Sequence, residues 1–143
     1  MNREHIGKYL GMIHRLHITL IDKRLEPYDI SHGQLFLLLA IYNKEGITQN
    51  DLCEMYKIDK AAVSKSIKKL IDEDFLIRER DNKDKRKQLL YLTNKAKNFE
   101  GEFRSVLQAI EEDSTKGLSM DELNSFFNVS NKIIDNLSNK LSI

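Results

Sequence analysis

Residues 63–93 read VSKSIKKLIDEDFLIRERDNKDKRKQLLYLT, and the spacing of the apolar residues changes within this stretch. From Val63 to Ile71 the apolar residues recur every three or four positions, which is typical of a helix. Beyond it, FLIRER and KQLLYLT are short runs of strand-forming residues on either side of a polar tip at 81–86. The stretch therefore predicts a helix over about 59–73 and a β-hairpin over about 75–92.

The predicted helix has an apolar side and a basic side. A rotation of about 100° per residue places Ala61, Lys65, Lys68 and Lys69 opposite the apolar residues, with Ser64 at the edge. Small residues on that side would let a helix backbone come close to DNA base edges in the major groove, and the lysines could reach phosphates.

Positive charge is concentrated around this helix and hairpin. Segment 57–97 contains 13 Lys and Arg against 7 Asp and Glu, whereas the whole chain of 143 residues has a net charge of only +1. A local positive face on a nearly neutral protein suits a polyanion such as nucleic acid, because each neutralised phosphate releases condensed counterions.

The flanking sequence predicts further helices. An amphipathic pattern runs over about 4–25 until Pro27 ends it, and HGQLFLLLAIYN, apolar on most sides, predicts a central buried helix. Five residues are candidate N-caps for the later helices: Ser31, Thr48, Asp59, Thr93 and Ser119. Thr48 with Asp51, and Ser119 with Glu122, also have capping-box spacing.

This order predicts a mainly α fold with a small β-hairpin, a winged helix-turn-helix. We assign 1–143 to a single domain whose DNA-binding lobe covers 30–92. The predicted DNA contacts are Lys60, Ala61, Ser64, Lys65, Lys68, Lys69, Arg80, Lys83, Lys85, Arg86 and Lys87. Asp81 and Asp84 are predicted to fix the turn of the wing and to hold the arginines, since a carboxylate facing DNA would be repelled by phosphate.

The stretch Val63 to Thr93 resembles the signature of the multiple-antibiotic-resistance regulator (MarR) family of transcription factors. The matching features are FLI after the helix, the frame RxxDxxDxR from Arg78 to Arg86, and LxLT at the end of the hairpin. The family often has Gly where Asp74 stands and Pro where Asn82 stands, but Asp and Asn tolerate left-handed and turn conformations.

The resemblance implies a homodimer that binds a pseudo-palindromic operator in double-stranded DNA. It assigns 1–26 and 94–143 to dimerisation helices. It also implies a cleft for small aromatic or phenolic anions, and His14, Arg15 and His17 are the residues that would line it. The family's peroxide sensors carry their cysteine in the first helix, whereas Cys53 precedes the recognition helix, so we predict a core residue rather than a redox switch.

Other classes of protein find little support in the sequence. No apolar run approaches the roughly 18 residues of a membrane span, the N-terminus lacks a signal-peptide pattern, and we expect a cytoplasmic protein. We expect no metal, cofactor or enzymatic activity, because neither a metal-ligand set nor a nucleophile beside a base is recognisable. The leading hypothesis is a ligand-responsive repressor. The alternative is a winged-helix module that binds protein without sequence-specific DNA binding.

Overall fold

The computed structural model describes residues 4–143. Its helices are α1 (Ile6–Leu25), α2 (His32–Asn43), α3 (Gln49–Tyr56), α4 (Lys60–Asp72), α5 (Asn94–Thr115) and α6 (Met120–Leu141). A 3-10 turn at Glu26–Tyr28 follows α1, and the strands β1 (Leu76–Arg80) and β2 (Gln88–Leu92) form an antiparallel pair. The chain divides into two compact units, Met1–Ile110 and Glu111–Ile143. The mainly α fold with a β-hairpin wing is confirmed.

The predicted helix starts are capped by side chains. Thr48 Oγ1 accepts the N–H of Asp51 at 3.1 Å, while the Asp51 carboxylate accepts the N–H of Thr48 at 2.9 Å. The equivalent bonds from the third residue of the helix to Asp59, Thr93 and Ser119 measure 2.8, 3.1 and 3.1 Å. At Ser31 the arrangement differs, since Gln34 Oε1 accepts both the N–H and the hydroxyl of Ser31. These bonds satisfy N–H groups that a helix start leaves without partners.

Helix α2 is the central buried helix of the first unit, as its sequence predicts. Its side chains Leu35, Leu38 and Ile41 have no exposed surface, and they belong to the same core as Val63 and Ile67 of α4. Burial of apolar surface at about 25 cal/mol per Å² is the main term that holds these helices together. Helix α4 is therefore fixed by its inner side, which leaves its outer side for other contacts.

The turn between α4 and the wing depends on Asp74. Asp74 has φ of 62°, the left-handed conformation that residues other than Gly, Asn and Asp rarely adopt. Phe75 N–H then donates to Leu70 O at 2.8 Å, and Thr93 Oγ1 donates to Asp74 O at 2.7 Å. Asp therefore serves in this chain where the family often has Gly, as we predicted.

The hairpin pairs Leu76 with Leu92 and Arg80 with Gln88. Ile47 adds an isolated bridge to Leu90, with Leu90 N–H donating to Ile47 O at 2.9 Å. No pattern in the sequence predicts this third segment. It ties the returning strand of the wing to the residues just before α3.

The helices at the two ends of the chain each carry an exposed apolar stripe. On α1 the stripe consists of Ile6, Tyr9, Leu10, Ile13 and Leu16, whose exposed fractions range from 40% to 72%. On α6 it consists of Phe126, Phe127, Ile134, Leu137 and Leu141, with exposed fractions from 45% to 64%. Phe103 of α5, by contrast, is fully buried in the core. Within residues 4–143, no helix is long and apolar enough to cross a bilayer.

Candidate nucleic-acid interface

The outer side of α4 is an exposed ridge of small and basic residues. Ala61, Ser64, Lys65 and Lys68 are all exposed, whereas Val63 on the opposite side is fully buried. Asp59 caps the first turn of this helix. The core contacts of the opposite side therefore hold α4 in place, and the ridge is open to a partner.

The lysines of the ridge differ in their neighbours. Lys68 Nζ lies 2.9 Å from Asp72 Oδ2 in an exposed pair one turn along the helix. The charge of Lys69 acts on Asp22 of α1. Partial burial alone would raise the pKa of Asp22, but hydrogen bonds from His32 and the charges of His32 and Lys69 together lower it. Lys65, by contrast, has no carboxylate partner among residues 4–143, so its charge is available to an anion.

The tip of the wing is organised by two carboxylates. Asp81 Oδ1 accepts the N–H of Lys83 at 3.0 Å, and Asp84 Oδ1 accepts the N–H of Arg86 at 3.1 Å. Arg86 Nε also donates to Asp84 Oδ1 at 3.2 Å, and hydrogen bonds from the Arg86 side chain and backbone lower the pKa of Asp84. The side chain of Arg86 nevertheless remains 92% exposed. Such an exposed pair adds little stability, but it restricts where the guanidinium can lie.

The remaining predicted contacts of this surface are also exposed: Lys60, Lys69, Arg80, Lys83, Lys85 and Lys87. The structure thus brings all predicted DNA-contact residues onto α4 and the wing. Their roles remain predictions.

A contact that the sequence did not predict joins the wing to α3. Arg78 Nη2 donates to Gln49 Oε1 at 2.8 Å, across 29 positions of sequence. These two residues line a groove of about 580 Å³ together with Arg86 and Lys87 of the wing. The RxxDxxDxR frame identified Arg78 as a residue of interest, but nothing in the spacing of the sequence identified Gln49 as its partner.

A second cavity, of about 370 Å³, lies between α2 and α4. It is mostly apolar and is lined by His32, Gly33, Phe36, Leu37, Tyr56, Ile58, Ala62, Val63 and Ser66. His32 Nδ1 lies 2.8 Å from Asp22 Oδ2, and this pair links the His32 side of the cavity to α1. The two helices are close here, since a Cβ on Gly33 would lie 3.1 Å from Ser66 Oγ.

The predicted effector residues lie elsewhere. His14 and Arg15 are exposed on α1 and His17 is half-buried, and neither of the two cavities described above is lined by them. Cys53 is half-buried against the core, which agrees with the predicted packing role. No group of three or more potential metal-binding side chains occurs within the described part of the chain.

Comparisons with known proteins agree on one family. A family model described as MarR family matches residues 28–87. YybA of Bacillus subtilis, an uncharacterized HTH-type transcriptional regulator, is 33% identical over 92 residues, which cover 64% of this chain and 61% of YybA. The crystal structure of a MarR transcriptional regulator from Methanosarcina mazei Go1 is 31% identical and has a TM-score of 0.80. That match covers 94% of this chain and 96% of the other.

Two more distant structures share the fold. A MarR-family regulator from Listeria monocytogenes, complexed with 26mer DNA, has a TM-score of 0.86 at 23% identity, with 96% of this chain and 92% of that chain covered. BpsR of Bordetella bronchiseptica, whose DNA binding is regulated by 6-hydroxynicotinic acid, has a TM-score of 0.83 at 22% identity, with 92% and 94% covered.

Proposed function

Because the chain belongs to the MarR family of transcriptional regulators, we propose that it is a repressor that binds double-stranded operator DNA as a homodimer. It is a regulator and not an enzyme. The observation that carries the proposal is the exposure of two basic elements, the ridge of α4 and the guanidinium of Arg86 on the wing. Its place of action would be the cytoplasm, where bacterial and archaeal DNA lies.

The ridge and the wing fit different grooves of DNA. A major groove about 12 Å wide admits one helix, and Ala61 and Ser64 would let the α4 backbone approach base edges while Lys65 reaches a phosphate. The tip of the wing would insert Arg86 into the neighbouring minor groove, where a narrow A·T tract concentrates negative potential. In this proposal Asp84 restricts the rotamers of Arg86 before DNA arrives, which lowers the entropy lost on binding.

The exposed apolar stripes of α1 and α6 support a dimer. Contiguous apolar surface of this kind marks an interface in a soluble protein. A second copy would cover the stripes through the dimerisation helices 1–26 and 94–143, and it would leave the two lobes at 30–92 free. Two copies of α4 about 34 Å apart would then read the half-sites of a pseudo-palindromic operator.

The cavity between α2 and α4 is our proposed effector site. Phe36 and Tyr56 offer aromatic contacts and His32 offers a polar group that could face a carboxylate, which suits a small aromatic or phenolic acid. Because α4 forms one wall, an occupant would alter how the recognition helix packs on α2 and so weaken operator binding. The α1 residues that the family resemblance implies for a ligand cleft, His14, Arg15 and His17, do not line this cavity.

A gel-shift titration against the region upstream of the protein's own gene tests DNA binding. We expect a specific complex with a dissociation constant of roughly 10⁻⁸ M or tighter at physiological salt. The logarithm of its association constant should fall steeply with that of the salt concentration. Binding that is absent from all upstream fragments, or insensitive to salt, would contradict the proposal and favour the protein-binding alternative.

The same titration with small aromatic acids tests the effector site. An acid that weakens operator binding should lose its effect in the variant Ser66→Leu, whose side chain enters the cavity from α4. Gly101→Ala, at an exposed α5 position with open space around it, is the control. If Ser66→Leu binds DNA normally and responds to the acid as the wild type does, the effector lies outside this cavity.

A further inference from the structure

The groove between α3 and the wing is strongly basic. Arg78, Arg86 and Lys87 line it on the side of the wing, and Gln49 and Asn50 line it on the side of α3. One carboxylate, Asp51, also lines the groove, but it is engaged as a capping residue that accepts the N–H of Thr48. Arg86 is paired with Asp84 at the tip of the wing, so Arg78 and Lys87 against Asp51 leave the groove with a net positive charge.

The Gln49 amide has a defined orientation in this groove. Its oxygen accepts the hydrogen bond from Arg78 Nη2, and a guanidinium can only donate, so the amide oxygen must face Arg78. The NH₂ group therefore points away from Arg78. No residue in the described range 4–143 accepts a hydrogen bond from it. A donor is thus held in place, without a protein partner, at the edge of a positive groove.

We propose that this groove holds one phosphate of the DNA backbone and that Gln49 donates an amide hydrogen bond to it. Arg78 acts as a positioning residue that turns the amide toward the phosphate. The inference rests on the proposed DNA-binding function and adds a contact outside the recognition helix and the wing tip. Amide side chains commonly contact DNA phosphates, and such contacts set the position of a protein without reading sequence. The contact should therefore strengthen binding to any DNA.

The variant Gln49→Glu tests the contact. It keeps the side-chain length and an acceptor for Arg78, but it replaces the donor with a charged oxygen that repels phosphate. We expect roughly ten-fold weaker binding to the operator and to unrelated DNA alike, with the ratio of the two affinities unchanged. Asn98→Asp makes the same change of charge at an exposed position of α5 and should bind within about two-fold of the wild type.

Replacing single phosphates of the operator by uncharged methylphosphonates locates the contact. The wild type should lose affinity at several positions in each half-site. Gln49→Ala should be clearly less sensitive than the wild type at one of these positions and equally sensitive at the others. Equal binding by Gln49→Glu and the wild type, or unchanged sensitivity in Gln49→Ala, would overturn this inference alone. A wild-type protein that binds no DNA at all would overturn the proposed function with it.

Discussion

Replacing Lys65, Lys68, Arg86 and Lys87 together by alanine is expected to weaken operator binding severely. Each of these side chains is exposed, so none of the four changes removes core packing. At about 1 kcal/mol or more for each lost contact, the combined loss in affinity is roughly a thousand-fold. The four side chains would neutralise four phosphates and release their counterions. In a plot of the logarithm of the association constant against that of the salt concentration, the variant's slope should therefore be less steep by about 3.6.

The matched control removes four lysines from surfaces that carry no predicted DNA contact: Lys97, Lys116, Lys132 and Lys140. It has the same net charge as the test variant, so it separates local contacts from the general attraction of a cationic protein to DNA. We expect its specific affinity to stay within a few-fold of the wild type. Should both quadruple variants lose affinity equally, the basic ridge and wing would have no special role.

The same variant separates the two functional hypotheses. A winged-helix module that acts by binding protein would keep its effect on gene expression after the basic face is removed. A repressor that acts through operator contacts would lose it. The dimer should survive in either case, because none of the four residues belongs to the apolar stripes. Size-exclusion chromatography with light scattering checks this point.

The local parts of the fold could be predicted because their signals lie within a few residues of each other. Thr48 and Asp51 cap α3 three positions apart, and the apolar spacing around Val63 gives the buried side of α4. The wing was predictable because its strands adjoin a charged tip. Asp74 was predictable as a turn residue, although only the structure shows that its backbone is left-handed.

The contacts that position the site were not predictable from spacing. Gln49 and Arg78 are 29 positions apart, and Asp22 and His32 join two helices across a turn. No periodicity links such residues, because their proximity depends on how the helices pack. The same limit applies to the lysines of α4, which have similar helical positions but different neighbours. Lys68 is paired with Asp72, whereas Lys65 has no carboxylate partner in the described part of the chain.

Placing two carboxylates on the apolar stripe of α6 should convert the dimer into monomers. The variant Ile134→Asp with Leu137→Asp changes side chains that are 45% and 53% exposed in the single chain, so the isolated subunit has no core to lose there. In a dimer those carboxylates would be buried against apolar groups without partners, at a cost of several kcal/mol. Light scattering should give the mass of one chain at micromolar concentration, with helix content by circular dichroism unchanged.

Loss of the dimer should also weaken DNA binding more than the loss of any one contact. Two linked lobes bind the second half-site as an intramolecular step, and separating them removes a gain of about 10² to 10⁴ in affinity. Asn128→Asp with Asn139→Asp adds the same charge on the opposite side of α6 and should leave both the dimer and the operator complex intact. A dimer that persists in the stripe variant would exclude this face of α6 as the interface. Monomers that still bound the operator tightly would show instead that a single lobe suffices, and the spacing between the two α4 helices could not then control repression.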